Sequence, residues 1–182
     1  MAARLLMKAG HRQVAFVAGS HDTSTSLERE KGFREELKKH GQEPCIEMGE
    51  FSYQGAFDAA SRLMKLPKSP DAVFCANDIM AIGVLDSLRH VVQKKVPEEV
   101  SVIGFDDIPM AAWPSYNLTT IRQPIERMID SAVNDLLDRI NQNILAPRQE
   151  LVPGDLVVRS SSKLPSGLSS GWVISTSETR PT

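Results

Sequence analysis

The chain has 182 residues, with 21 Lys and Arg against 23 Asp and Glu, a net charge of −2, 41% hydrophobic and 24% charged residues. That is the length of one ordinary domain or of two small lobes sharing a core, and such a chain buries roughly 70% of its unfolded surface without a metal or disulfide staple. No run approaches the roughly 20 apolar residues of a bilayer span, the opening residues are too polar for a secretory signal, and the charge balance excludes nucleic-acid binding by bulk charge.

In chain order, residues 14–19 (VAFVAG) are continuously apolar and read as a buried strand. A polar loop over 20–25 leads to a helix over about 26–40, with Ser26 suited to its N-cap and Gly41 to its end. A short strand over 45–48 passes through Gly49, Glu50 and Phe51 into a helix over 53–66, which Pro67 and Pro70 stop. Next come a strand over 71–76 (DAVFCA), a helix over 79–91, and a strand over 100–105 (VSVIGF) that ends at Asp106 and Asp107. Cys45 and Cys75 sit within the second and third strand runs, as buried reduced thiols of a cytoplasmic protein do.

Beyond a loop containing Trp113 and Tyr116, residues 118–121 (LTTI) are β-prone. A long amphipathic helix over 124–142 follows, whose stripe of Ile125, Met128, Ile129, Ala132, Val133, Leu136, Leu137 and Ile140 keeps a 3.6-residue period. A last strand is expected over 150–159, and the Ser- and Gly-rich composition from Ser160 onward predicts a disordered tail over 160–182.

Strand–helix alternation through four strands specifies an α/β fold, a doubly wound parallel sheet with helices on both faces. Ligands of open parallel sheets bind at the carboxyl ends of the strands. Topology alone therefore brings Ser20, Phe51, Asn77, Asp78, Asp106 and Asp107 to one edge.

No phosphate-binding glycine loop and no serine nucleophile elbow is present, and the four histidines have no metal-ligand spacing. An enzyme is not expected, nor is a cofactor or a metal site. A phosphoacceptor site would need carboxylates on two neighbouring strands and a lysine at a third, which the strand ends lack. Binding fits better: a carboxylate bridges adjacent hydroxyls, a guanidinium offers a complementary fork of donors, and an aromatic gives a flat apolar face. Polyol ligands need that mixture.

Several motifs occur in order: Gly10-His11-Arg12 before the first strand, REKGF around Arg29, ANDIMAIG from Ala76, Val96-Pro97, VSVIGFDD ending at Asp107, and LTTIRQP ending at Pro124. Over about residues 1–160 the chain resembles the effector-binding domain of lactose-repressor/galactose-repressor (LacI/GalR) transcriptional regulators. The resemblance implies a fold like type I periplasmic binding proteins, two α/β lobes joined by three crossing strands around a small molecule. On that alignment residues 1–159 form a partial effector-binding domain: 1–106 and 150–159 are the C-terminal lobe, and 118–142 a remnant of the N-terminal lobe. The chain then reads as an N-terminally truncated sensor, without the helix-turn-helix head and hinge through which such a repressor contacts DNA. The helix over 124–142 is expected to expose its apolar stripe.

By the same resemblance Arg29, Phe51, Asn77, Asp106 and Gln123 are effector-binding positions, and Ile79, Ile82, Leu85, Trp113 and Tyr116 belong to a homodimer interface. Each has a plainer structural alternative. Asn77 suits a helix cap, Asp106 the bracing of its own loop, Arg29 a solvated ion pair with Glu28 or Glu30, Phe51 the core and Trp113 a loop anchor. Asp107 reads as structural and His11 as a helix-end residue facing carbonyls. The expected function is sensing of a small sugar or sugar derivative for a cytoplasmic regulator, with no membrane partner. The alternatives are a sugar-binding protein of a transport system and a headless dimerisation module.

Overall fold

A computed structural model describes residues 1–142, 150–165, 167 and 173–175. Five strands run parallel: β1 (Val14–Ala18), β2 (Cys45–Met48), β3 (Ala72–Cys75), β4 (Ser101–Asp106) and β5 (Thr119–Arg122). Two short strands, β6 (Asp155–Val157) and β7 (Val173–Ser175), continue the sheet antiparallel from β5. The order β2-β1-β3-β4-β5-β6-β7 reverses direction at β1, which makes the sheet doubly wound, as the strand–helix alternation specified. The expected strand over 150–159 is confined to three residues.

The helices are α1 (Ala2–Lys8), α2 (Ser24–Lys38), α3 (Tyr53–Leu63), α4 (Asp78–Asp86), which runs on as a π-helical turn over Ser87–Val91, and α5 (Ile125–Gln142). Alternation along the strands sends Phe16 and Val17 to opposite faces. Phe16 meets Phe33 of α2 and Phe74 of β3 in a triad with ring centroids 5.1–5.8 Å apart. On the other face Val17 and Met80 of α4 both close on Gly49, leaving no room for a side chain there. α1 packs on α2, and α3 packs on α4 so closely that the backbone of Tyr53 and Phe57 occupies the space of a Cβ at Gly83. Each fully buried Phe- or Leu-sized side chain of this double layer stabilises the fold by about 1.5–3 kcal/mol.

Several local expectations need correction. α2 begins two residues early, with Thr23 at its N-cap position, and Ser26 is buried within the helix. Gly41, at φ 70°, ends the helix as expected, and the amide of Gln42 folds back to the Leu37 carbonyl at 3.1 Å. His11 is buried, and its Nδ1 lies 3.2 Å from Asp71 Oδ1. Burial lowers the His11 pKa, with Asp71 opposing.

The disordered tail expected from Ser160 does not begin there. Ser161 and Ser162 are buried. The Ser161 hydroxyl donates to the Val102 carbonyl at 2.7 Å and accepts from the Thr119 amide at 2.8 Å, while its own carbonyl accepts from the Val102 amide at 2.7 Å. Lys163 N–H donates to Ser101 Oγ at 2.9 Å. Composition misleads here because these serines serve the backbone as hydrogen-bond partners between β4 and β5. Most of the remaining expected tail lies outside the described residues, although β7 falls within it.

α5 buries none of its described side chains. Ile125, Met128, Ile129, Val133, Leu136, Leu137 and Ile140 are each 42–68% exposed, so the expected open stripe is present. The contacts that tether the helix include Arg127 Nη2 to the Pro153 carbonyl at 2.9 Å and Ser131 Oγ to Glu150 Oε2 at 2.8 Å.

Ser161→Ala is expected to cost about 1–3 kcal/mol in urea unfolding, because it leaves a buried amide and carbonyl short of partners. Ile129→Glu on α5 is expected to change the same free energy by less than about 0.5 kcal/mol. Equal costs for the two substitutions would contradict this assignment of buried and open segments.

Candidate functional site

β4 ends abnormally. Gly104 and Phe105 face opposite sides of the sheet, and regular extension would return Asp106 to the side of Gly104. Asp106 and Asp107 instead adopt φ 118° and 58°, a region that L side chains seldom occupy. This two-residue turn breaks the alternation and brings the Asp106 carboxylate towards α2.

Arg29, on the second turn of α2, reaches across the strand ends to meet it. Its Nη1 donates to the Ala76 carbonyl at 2.6 Å, its Nη2 lies 3.7 Å from Asp106 Oδ1, and its Cζ stacks 3.8 Å over the Phe105 ring. Gln123, just past β5, donates from Nε2 to Asp106 Oδ1 at 2.6 Å. Both contacts fall on Oδ1, so Oδ2 is left without a partner among the described residues, on a side chain that stays partly open. Burial pulls the Arg29 pKa down, and Asp106 and then Asp78 oppose it. Burial raises the Asp106 pKa, and Gln123 and Arg29 oppose it. A cavity of about 200 Å³ lies alongside, lined by Arg29, Phe33, Phe74, Phe105 and Ile121 among others.

A second layer of polar contacts holds this one. Asp78, in the first turn of α4, is fully buried. Its Oδ1 accepts from Thr120 Oγ1 at 2.6 Å and its Oδ2 from the Ile108 amide at 2.9 Å. Burial pushes its pKa up to about 6; the bonds from Thr120 and Ile108 pull it down, and Asp106 and Asp107 add to the rise. Asp107 accepts from Arg122 Nε and from Arg159 Nη2, each at 2.7 Å. It is structural, as the sequence suggested.

Of the five positions carried over as effector-binding, Arg29, Asp106 and Gln123 converge. Asn77 caps α4, its Oδ1 accepting from the Met80 amide at 2.9 Å, next to the Ala76 carbonyl that Arg29 holds; a cap and an effector contact are compatible. Phe51 sits at the β1–β2 end, at φ 51°, with its ring against Gly19. Arg29 does not pair with Glu28 or Glu30; Glu30 is engaged by Arg34 at 2.8 Å.

Of the five interface positions, Trp113 is 52% exposed, while Ile79 and Tyr116 are half-buried. Leu85 is fully buried and Ile82 nearly so, because α4 is apolar on all sides and lies between α3 and the sheet. Leu85 offers no surface to a partner, which corrects its expected place in an interface. Topology placed Asp78 on the ligand edge without a role, while Phe105, Thr120 and Arg159 are found only through the contacts they make here.

The site holds a carboxylate, a guanidinium and an amide over an aromatic ring, which together suit a neutral ligand with adjacent hydroxyls. Among the described residues, no group of three or more His, Cys, Asp or Glu is placed to hold a metal ion. No helix among them is long and apolar enough to cross a membrane.

A family described as "Periplasmic binding protein-like domain" matches residues 3–162. The ribose operon repressor of Escherichia coli (strain K12) is 33% identical over 165 residues, 89% of this chain and 50% of the relative. Among solved structures, a transcriptional regulator CelR–cellobiose complex superposes with a TM-score of 0.79 at 34% identity, covering 88% of this chain and 49% of that one. A dimeric Lac repressor with an 11-residue C-terminal deletion gives a TM-score of 0.80 at 26% identity over 91% of this chain and 60% of that one. The chain spans about half the length of the curated relatives it matches.

The unfolded chain titrates Asp78 near its ordinary 3.8, and the folded chain near about 6. Between those values the folded state holds more protons, so this group's contribution to stability falls as pH rises through the window and levels off above it. In urea unfolding the wild type is expected to lose more stability between pH 4.5 and 6.5 than Asp78→Asn does. Identical pH slopes would refute the assignment.

Proposed function

The chain belongs to the periplasmic binding protein-like domain family, in its LacI/GalR branch of sensor domains, and from that membership we propose that it senses a small polyhydroxylated effector, a sugar or sugar derivative, for a transcriptional regulator. The observation that carries the reading is the convergence of Arg29, Asp106 and Gln123 at the carboxyl edge of the sheet. Asp106 Oδ2 accepts from one effector hydroxyl, and the guanidinium of Arg29 donates to a neighbouring oxygen. Phe105 backs the guanidinium with an apolar face.

The relatives named for ribose and cellobiose support the carbohydrate class. The domain is a binding module without catalytic turnover, works in the cytoplasm, and acts on DNA only through a head supplied outside these residues. A homodimer formed through the face of Ile79, Trp113 and Tyr116 accords with the dimeric Lac repressor among its structural relatives. An effector that binds two states of such a dimer with different affinity shifts the balance between them, and that difference sets the size of the response.

The test is calorimetric titration of D-ribose and cellobiose, followed by a wider panel of monosaccharides and disaccharides. At least one sugar is expected to bind, and Arg29→Ala and Asp106→Ala are each expected to weaken it at least about tenfold, the cost of losing a charged hydrogen-bond partner. Unchanged affinity in both variants would remove these residues from the site, and a blank panel would overturn the carbohydrate reading.

A further inference from the structure

The Asp106–Asp107 turn is held by only a few bonds. Asp107 is clamped through its carboxylate by Arg122 and Arg159, both on the β5–β6 side. The backbone leaving the turn is held by the Ile108 amide, which donates to Asp78 Oδ2 at 2.9 Å. The other oxygen of Asp78 accepts from Thr120, on the strand that leads to Gln123. Gly104 presents no side chain at this point, and a Cβ there would occupy the position of the Asp78 carboxylate. One buried carboxylate thus joins three pieces of chain: the first turn of α4, the exit of the turn carrying Asp106, and the strand carrying Gln123.

We propose that Asp78 is the positioning residue of the site, fixing the turn after β4 and the end of β5 in one register so that the Asp106 carboxylate meets Gln123 and Arg29. The proposal rests on reading Asp106 as the carboxylate that faces the effector, and it adds a residue that acts through Asp106. Asp78 itself is fully buried and has both oxygens engaged.

The groups that bear on it are Asp106 and Asp107 from the turn, Arg29 from α2 and the buried Cys75 thiol at the end of β3. Burial first, and then the neighbouring carboxylates of Asp106 and Asp107, make protonation of Asp78 accessible at mildly acidic pH. A protonated Asp78 loses the charge that both donors address, so the turn and β5 are released together. The site is then pH-responsive through a residue that no effector touches.

The experiment is an NMR pH titration of the full ¹⁵N-labelled chain without effector, following the Ile108 amide and the Gln123 side-chain amide, which reports the Asp106 contact. In the wild type both are expected to move together with an inflection near pH 6. In Asp78→Asn the step that the two signals share is expected to vanish, leaving at Gln123 only the response to Asp106 itself, with the Gln123 signals already displaced at pH 7.5. Thr120→Val removes one donor to the ionised carboxylate, so the shared inflection is expected at higher pH; this variant also decides the matter if Asp78→Asn does not fold. A Gln123 amide that keeps its wild-type position and titration in Asp78→Asn, while only Ile108 moves, would overturn the proposal and leave Asp78 a purely local brace. So would an unmoved inflection in Thr120→Val. Because no ligand enters the readout, failure here is distinct from failure of the effector reading, which calorimetry judges separately.

Discussion

The site depends on a break in strand geometry. A β-strand delivers successive side chains to opposite faces, and regular extension of β4 would turn Asp106 to the face where the Asp78 carboxylate already lies over Gly104. β4 escapes this by adopting two consecutive residues of positive φ at its end, which lift Asp106 out of the pleat and into the path of Arg29. Such a turn costs of order 1–3 kcal/mol for each strained residue, and the surrounding bonds must outweigh that cost. They come from the clamp on Asp107 by two arginines and from the bond between Ile108 and Asp78.

The sheet was legible in the sequence because buried parallel strands are apolar along their whole length. The runs VAFVAG, DAVFCA and VSVIGF carry that signature, and each coincides with an observed strand to within a residue or two. The edge on which a ligand site would lie followed from topology, and the grouping of Arg29, Asp106 and Gln123 was implied by the family resemblance. Other features depend on contacts between distant segments. The burial of Asp78 is possible because Gly104, far along the chain, leaves the space for it. Leu85 belongs to a helix that is apolar on every side, so periodicity selects no buried face and cannot separate core from interface. The serines after Arg159 look like linker by composition, yet they complete hydrogen bonds that two strands leave open.

α5 shows the opposite balance. Its apolar period is the most regular in the chain, yet its side chains are left open, so the hydrophobic pattern is present without the burial that gives it energy. An isolated helix of 18 residues gains little from propensity alone. The stability of the chain therefore resides in the layers around β1, β3 and β4, and the helix after Pro124 adds little to it.

The serine strap has a mechanical consequence for the site. It joins β4 and β5 where they begin, through Ser101, Val102 and Thr119, at the end of the sheet remote from Asp106. At the opposite end the pair is joined by its ladder as far as Asp106 and Arg122, by the bond from Gln123 to Asp106, by the Asp107 clamp and by the Asp78 carboxylate. The two strands are therefore tied to each other from foot to tip and behave as one plank. A shift of Asp106 is then shared with the end of β5 through Gln123, which leads into α5.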